Sequence, residues 1–275
     1  MPRGRKRGLA LCLLLCAGAV QAQPRVVSIN LCTDQLLAAT AEPAQVLGLS
    51  PNFRNTVLSG AAGAFADVPI LSGMAEDVLV LQPDLVLAGR FTRRATRELL
   101  RAKGLRIEEF DVVRSLDDAR RQLLRMGALV GQPERAAAQI AAIDAAVARA
   151  RRAAAVRPLS VLPLQRRGWV SGQDSLMTSL LQEVGLTNAA GQGLRSGGQM
   201  SLEAIVALRP DLLLVARDDA GAEDQGRAFL LHPVLSRLYP LDRRITMPER
   251  LTVCGGPTLA EALDVLARAV ERLPQ

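Results

Sequence analysis

The sequence predicts an α/β fold: two doubly wound lobes that face each other across a cleft and are joined by a long connector helix. Three observations carry this. Short apolar runs alternate with amphipathic stretches along most of the chain, the pattern of parallel strands linked by helices. One phrase is written twice, AEDVLVLQPDLVLAGR at 75–90 and LEAIVALRPDLLLVAR at 202–217, about half the chain apart. Between the copies the alternation stops, and residues 116–155 are almost entirely helix formers. Repeats of about 20–50 residues indicate stacked solenoids. A single echo at half-length indicates two lobes of one architecture.

The chain opens on a segment with its own logic. Arg3, Arg5, Lys6 and Arg7 precede a short apolar run at 9–20 and a small-residue site, Val20-Gln21-Ala22. That is the layout of a secretory signal peptide cut after Ala22. The run is shorter than the roughly 20 residues a membrane helix needs. Leu15 before Cys16 argues against lipidation there. Four of the positive charges behind the formal net charge of +7 sit in this segment, so the remainder is only mildly basic. Weak basicity and 3% aromatic residues argue against a nucleic-acid surface.

In the first lobe, 23–115, apolar runs place strands at 25–29, 46–49, 85–88 and 106–110. Helices fit 33–39, 75–81 and 92–103, the last stopping at Gly104, a residue suited to the position just past a helix. In the connector, 116–156, Leu123, Leu124, Met126, Leu129, Ile140, Ile143 and Val147 recur at helical spacing. Gly131-Gln132-Pro133 interrupts it, and Pro133 suits a first helical turn. The tract is either two packing helices or one long link between lobes. In the second lobe, 157–275, strands are expected at 159–164, 169–171, 212–216 and 243–247, with helices at 175–184, 201–208 and 257–272.

In each copy of the phrase a short helix runs into a Leu-x-Pro-Asp corner and then a strand. Proline drives its predecessor out of the helical region, and aspartate favours turns. The apolar runs that follow suit strands covered on both faces. Glu76 and Glu203 begin the two helices, where the helix dipole favours an acid. As equivalent tips of two lobes they also offer two matching acids to a symmetric basic partner.

The doubled Glu-x-[Val/Ile]-x-x-Leu-x-Pro-Asp-Leu, together with RVVSINLCTDQLLAA near the start and RGWVSGQDSLMTSLLQEVG in the second lobe, resembles the periplasmic binding proteins for metal chelates. These serve ABC importers of cobalamin, ferric siderophores and haem. The resemblance covers nearly all of the chain after the signal segment. It implies a monomeric carrier, not an enzyme, with no resident cofactor. It implies that Glu76 and Glu203 contact arginines on the two subunits of an ABC permease dimer. It also implies limited closure, because the connector resists bending.

Ligands of doubly wound lobes meet the carboxyl ends of strands. That rule nominates Cys32, Phe53, Arg54, Arg90 and Phe91 in the first lobe, and Arg166, Trp169, Arg217 and Arg250 in the second. Trp169 is either core packing or the aromatic position that touches ligand in cobalamin-binding relatives. The arginines suit carboxylates, phosphates or propionates and tilt the expected cargo toward an anionic ferric chelate. Cys32 and Cys254 are open to three readings: buried small apolar residues, a bridge between the lobes, or thiols facing a chelate. His232 and Tyr239 are the sole residues of their types, which disfavours haem with a protein axial ligand. No protein metal site is expected, because one histidine is too few for a zinc or manganese binder. No G-x-S-x-G, Walker loop, dinucleotide fingerprint or H-E-x-x-H supports an enzyme. An exported sensor binding the same ligand is the remaining alternative.

Overall fold

The computed structural model describes residues 23–155, 157–191, 193–217 and 225–273. The expected signal peptide, 1–22, lies outside the described residues. Among those described, no helix is long and apolar enough to cross a membrane.

The first half runs β1 (Val26–Ser28), α1 (Leu31–Thr40), β2 (Val46–Gly48), α2 (Ala75–Leu81), β3 (Leu85–Gly89), α3 (Arg94–Ala102) and β4 (Ile107–Phe110). Its four strands form a parallel sheet in the order β2-β1-β3-β4. Then come α4 (Leu116–Leu129) and α5 (Pro133–Ala154). The second half runs β5 (Ser160–Leu164), β6 (Trp169–Val170), α6 (Leu176–Glu183), β7 (Thr187–Asn188), β8 (Gly198–Gln199), α7 (Leu202–Leu208), β9 (Leu212–Arg217), α8 (Gln225–Leu230), α9 (Pro233–Leu238), β10 (Arg244–Pro248) and α10 (Leu259–Glu271). Here β7 and β9 flank β5, and β10 pairs β9, all parallel. Within each half the parallel strands therefore follow the same order: second, first, third, fourth. The antiparallel strands β6 and β8 extend the second sheet.

The duplicated phrase builds the same corner twice. Gln82 and Arg209, the residues before the two prolines, end α2 and α7 in the left-handed conformation at φ 44° and 50°. The aspartates that follow clamp the first strand of each half. Asp84 Oδ2 accepts the Arg25 N–H at 2.8 Å, and Asp211 Oδ2 accepts the Ser160 N–H at 2.7 Å. The Ser160 N–H and hydroxyl hold the Asp211 carboxyl below the usual carboxylate range. An aspartate written for its turn preference thus fixes the register between strands far apart in sequence.

The connector tract is a helical hairpin followed by its long arm. Ser115 caps α4 by accepting the Asp118 N–H, and Asp118 returns the bond to the Ser115 N–H. Gly131, at φ 71°, turns the chain after α4. Pro133 then opens the 22-residue α5. Arg120 of α4 reaches Asp144 of α5 at 2.6 Å, so the two helices run antiparallel. Gly127 lies so close to Ala136 that a side chain there would collide with it.

Strand alternation sends side chains to opposite faces of each sheet. In β3, Leu85 and Leu87 enter a central core, whereas Val86 and Ala88 enter an outer one. In the second sheet, Leu212 and Leu214 face the central core and Leu213 the outer one. The central core is continuous between the halves: Leu36, Leu123, Ile143, Leu180 and Leu266 belong to one cluster. The long helix α5 is embedded in that shared core through Ile143, Ala146, Val147 and Ala150.

Candidate functional site

The carboxyl ends of β5, β9 and β10 converge on a cavity of about 390 Å³. Leu164, Ala216 and Met247 bring the strands to its wall. Gln165, Arg166 and Glu249 stand on the loops that follow, and Ser175 and Met177 close it from the start of α6. All of its lining residues belong to the second half.

The wall is held by a tight turn. Gly172 packs so close to the backbone of Leu194, Arg195 and Gly197 that no side chain fits there. Its carbonyl accepts the hydroxyls of Ser175 and Thr178, each at 2.7 Å. Asn188 donates to the Ser171 carbonyl at 2.8 Å. Ser175 also caps α6 by accepting the Thr178 N–H at 3.2 Å. This web fixes the Ser171 backbone and the Ser175 hydroxyl before any ligand arrives, which lowers the ordering cost of binding.

The first half meets this region through covalent and packed contacts. Cys32, in the first turn of α1, forms a disulfide with Cys254, their Cα atoms 5.2 Å apart. Val253, the neighbour of Cys254, lines the cavity, and Cys32 Sγ lies 4.0 Å from its carbonyl. Gly60 packs against Thr258, and Gly255 against Val113. Nearby, Asp34 of α1 is buried, and this pushes its pKa up to about 7 against the lowering effect of Ser28 and Ser50. Its carboxylate accepts the Ser50 N–H at 3.2 Å and the Ser50 hydroxyl.

Four nominated residues, Phe53, Arg54, Arg250 and Cys32, serve other purposes, and for these the expectation is corrected. Phe53 is fully buried in the central core, so it does not face ligand. Arg54 lies over the Phe53 ring and donates to the carbonyls of Ala62, Ala64, Phe65 and Ala66; its guanidinium organises the loop after β2. Arg250 turns away from the cavity to a paired contact with Glu261 of α10, at 2.9 and 3.2 Å. Cys32 is spent in the bridge. Arg90 pairs with Asp111 at the surface. Phe91 is 81% exposed and Trp169 44%, both outside the cavity wall. Arg217 ends β9, one residue past the lining Ala216; its side chain lies outside the description. Among those of the nine whose side chains are described, Arg166 alone lines the cavity.

Sequence reasoning passed over Ser171, Ser175, Met177 and Thr252 as wall residues. The Ser-Gly turn before α6 was the available signal: a glycine between a strand and a capping serine marks a close backbone approach.

Glu76 and Glu203 both lie exposed in the first turns of α2 and α7. The Glu203 carboxyl is held below its usual range by its own backbone N–H, then by Ser201 and more weakly by His232. Beside it, Leu202, Val206 and Val234 form an open apolar recess. Among the described residues, no group of three or more His, Cys, Asp or Glu side chains is placed to hold a metal.

Residues 26–240 match the family model described as periplasmic binding protein. No curated protein sequence matches the chain. Among solved structures, a periplasmic heme binding protein from Pseudomonas aeruginosa superposes with a TM-score of 0.72 at 23% identity, over 92% of this chain and 94% of that one. A vitamin B12 binding protein of Vibrio cholerae gives 0.67 at 14% identity, over 90% and 97%. An ABC-type Fe3+-hydroxamate transport protein from Saccharomonospora viridis gives 0.64 at 21% identity, over 90% and 93%. These likenesses establish the two-lobed fold.

Proposed function

The chain belongs to the periplasmic binding protein family, and from that premise we propose that it captures a metal chelate, a ferric siderophore or cobalamin, and delivers it to the permease of an ABC importer. In this reading residues 1–22 export it to the periplasm, where the Cys32–Cys254 bridge forms. The observation that carries the reading is the preformed cavity at the strand ends of the second sheet, beside the bridge that ties the halves together. Among the described residues the wall is aliphatic, with hydroxyls, an amide and two opposite charges. Such a wall holds a large organic ligand by shape and a few oriented hydrogen bonds. Arg166 contacts the ligand from the wall, and Phe91, Trp169 and Arg217 approach it from the rim. Glu76 and Glu203 stand on the permease, one on each subunit.

Isothermal titration calorimetry of the mature protein tests this, using cyanocobalamin, ferric trihydroxamate, ferric catecholate, ferric citrate and haemin. Binding of at least one at micromolar concentration or below is expected. Failure of all five overturns the carrier reading.

A further inference from the structure

The strap that follows β10, residues 249–258, serves two neighbours at once. On one side Glu249, Thr252 and Val253 form part of the cavity wall. On the other side the strap lies against the first half. Cys254 is bonded to Cys32. Gly255 sits so close to Val113 that an added Cβ would overlap the valine Cβ and its methyl groups. Gly256 faces Leu36 of α1, whose Cδ2 lies 3.5 Å from where a Cβ would stand. The Thr258 methyl group and the Arg250 carbonyl both approach Gly60, in the loop after β2. The strap is thus met from α1, from the loop after β2 and from the link between β4 and α4.

Gly255 is not in the left-handed conformation, so what excludes a side chain there is space alone. That space is taken by Val113, which packs on the central core. Three residues further on, the Leu116 N–H donates to Ser179 Oγ of α6 at 3.2 Å. The start of α6 closes the cavity through Ser175 and Met177. The short stretch 113–116 therefore touches two of the elements that build the wall, the strap and α6. It lines no part of the cavity itself. The Cys32–Cys254 bridge attaches the strap at one point, and the Gly255 and Gly256 contacts persist when it is removed.

We infer that Gly255 is a positioning residue for cargo binding: by packing on Val113 it lets the first half set where the strap places Thr252 and Val253 in the cavity wall. Groups that bind a ligand must be held within about 0.5 Å of their working positions. A methyl group added at 255 is overpacked against Val113, and backbone shifts relieve overpacking. The strap then moves away from the first half, and the wall residues two and three places before Gly255 move with it. This rests on the proposed carrier reading and gives the first half a part in it that the lining residues do not reveal.

Calorimetry of the mature protein tests it, with whichever of cyanocobalamin, ferric trihydroxamate, ferric catecholate, ferric citrate and haemin the wild type binds. Gly255→Ala should weaken that probe by at least about tenfold. Val113→Gly combined with Gly255→Ala gives the new methyl group room, and should restore affinity to within about threefold of wild type. Gly63→Ala, whose added carbon meets nothing within 4 Å, should bind as the wild type does. Wild-type affinity in Gly255→Ala overturns the inference, and so does a loss that the paired substitution fails to recover. Should Gly255→Ala not fold, Val113→Gly alone decides, because it adds no bulk and only removes the strap's support. It should weaken the probe by more than about threefold, and unchanged affinity overturns the inference. If no probe binds the wild type, the carrier reading falls, and hydrogen exchange tests the positioning by itself. The Thr252 and Val253 amides, both bonded to the Glu249 carbonyl, should exchange at least about tenfold faster in Val113→Gly. Equal rates overturn the inference.

Discussion

Asp34 shows how one side chain ties stability to pH. Its pKa is raised by burial from 3.8 to about 7, even though Ser28 and Ser50 favour the charged form. Because the folded value exceeds the unfolded one, the group's stabilising contribution is full below about pH 4 and is lost as pH rises through 7. Replacing it by Asn should flatten the dependence of the urea midpoint on pH between 4 and 8. The wild type should lose on the order of 2–4 kcal/mol across that window relative to the variant. Identical slopes would refute the assignment. Arg54 is a second case. Its four carbonyl partners make it a structural residue, so Arg54→Met should cost about 2–3 kcal/mol in unfolding free energy. Ligand affinity should stay within about threefold, measured by calorimetry. A tenfold loss of affinity without loss of stability would return Arg54 to the ligand site.

At the scale of elements, the paired helices α2 and α7 carry the construction of both corners and, in the proposed function, the docking. The left-handed residue, the proline and the aspartate after each helix set the next strand's register; each glutamate is left in solvent at the helix start. Because both acids lie exposed in first helical turns, reversing their charge should leave the fold intact. Glu76→Lys with Glu203→Lys should abolish uptake into cells while ligand affinity changes by less than about twofold. Uptake at the wild-type rate would refute docking, and would suit a receptor-binding sensor instead. Most elements were legible beforehand: α2 falls at 75–81 as its apolar spacing predicts, and β3 and β9 follow the Pro-Asp corners. The strands β7 and β8 were not, since a two-residue strand has no period to read. They exist because neighbouring strands offer them unpaired backbone groups.

In the whole molecule, two links hold the halves in place. One is the continuous core around α5, and the other is the Cys32–Cys254 bridge, closing a loop of 222 residues in sequence separation. Constraining so long a segment of the unfolded chain stabilises by about 2–5 kcal/mol. Cys32→Ser with Cys254→Ser should lower the melting temperature by that equivalent, and mass analysis of the wild type should show no alkylation before reduction. Because the core still joins the halves, the double variant should retain ligand binding. The core link is tested separately: Ile143→Ala, in the buried face of α5, should cost about 2–5 kcal/mol by denaturant titration.

The amino-acid sequence alone determined the class of fold, its duplication, the order of most elements and the matching positions of the two glutamates. Those features are local: caps, corners and apolar periods act between residues a few places apart. Only the tertiary structure decided the bridge between Cys32 and Cys254 and which arginines meet the cavity. Arg54, Arg90 and Arg250 follow strands just as Arg166 does, but Arg54 meets loop carbonyls, Arg90 meets Asp111 and Arg250 meets Glu261. A charged side chain goes to the partner that best offsets its desolvation, and which partners are within reach is settled only when distant segments pack.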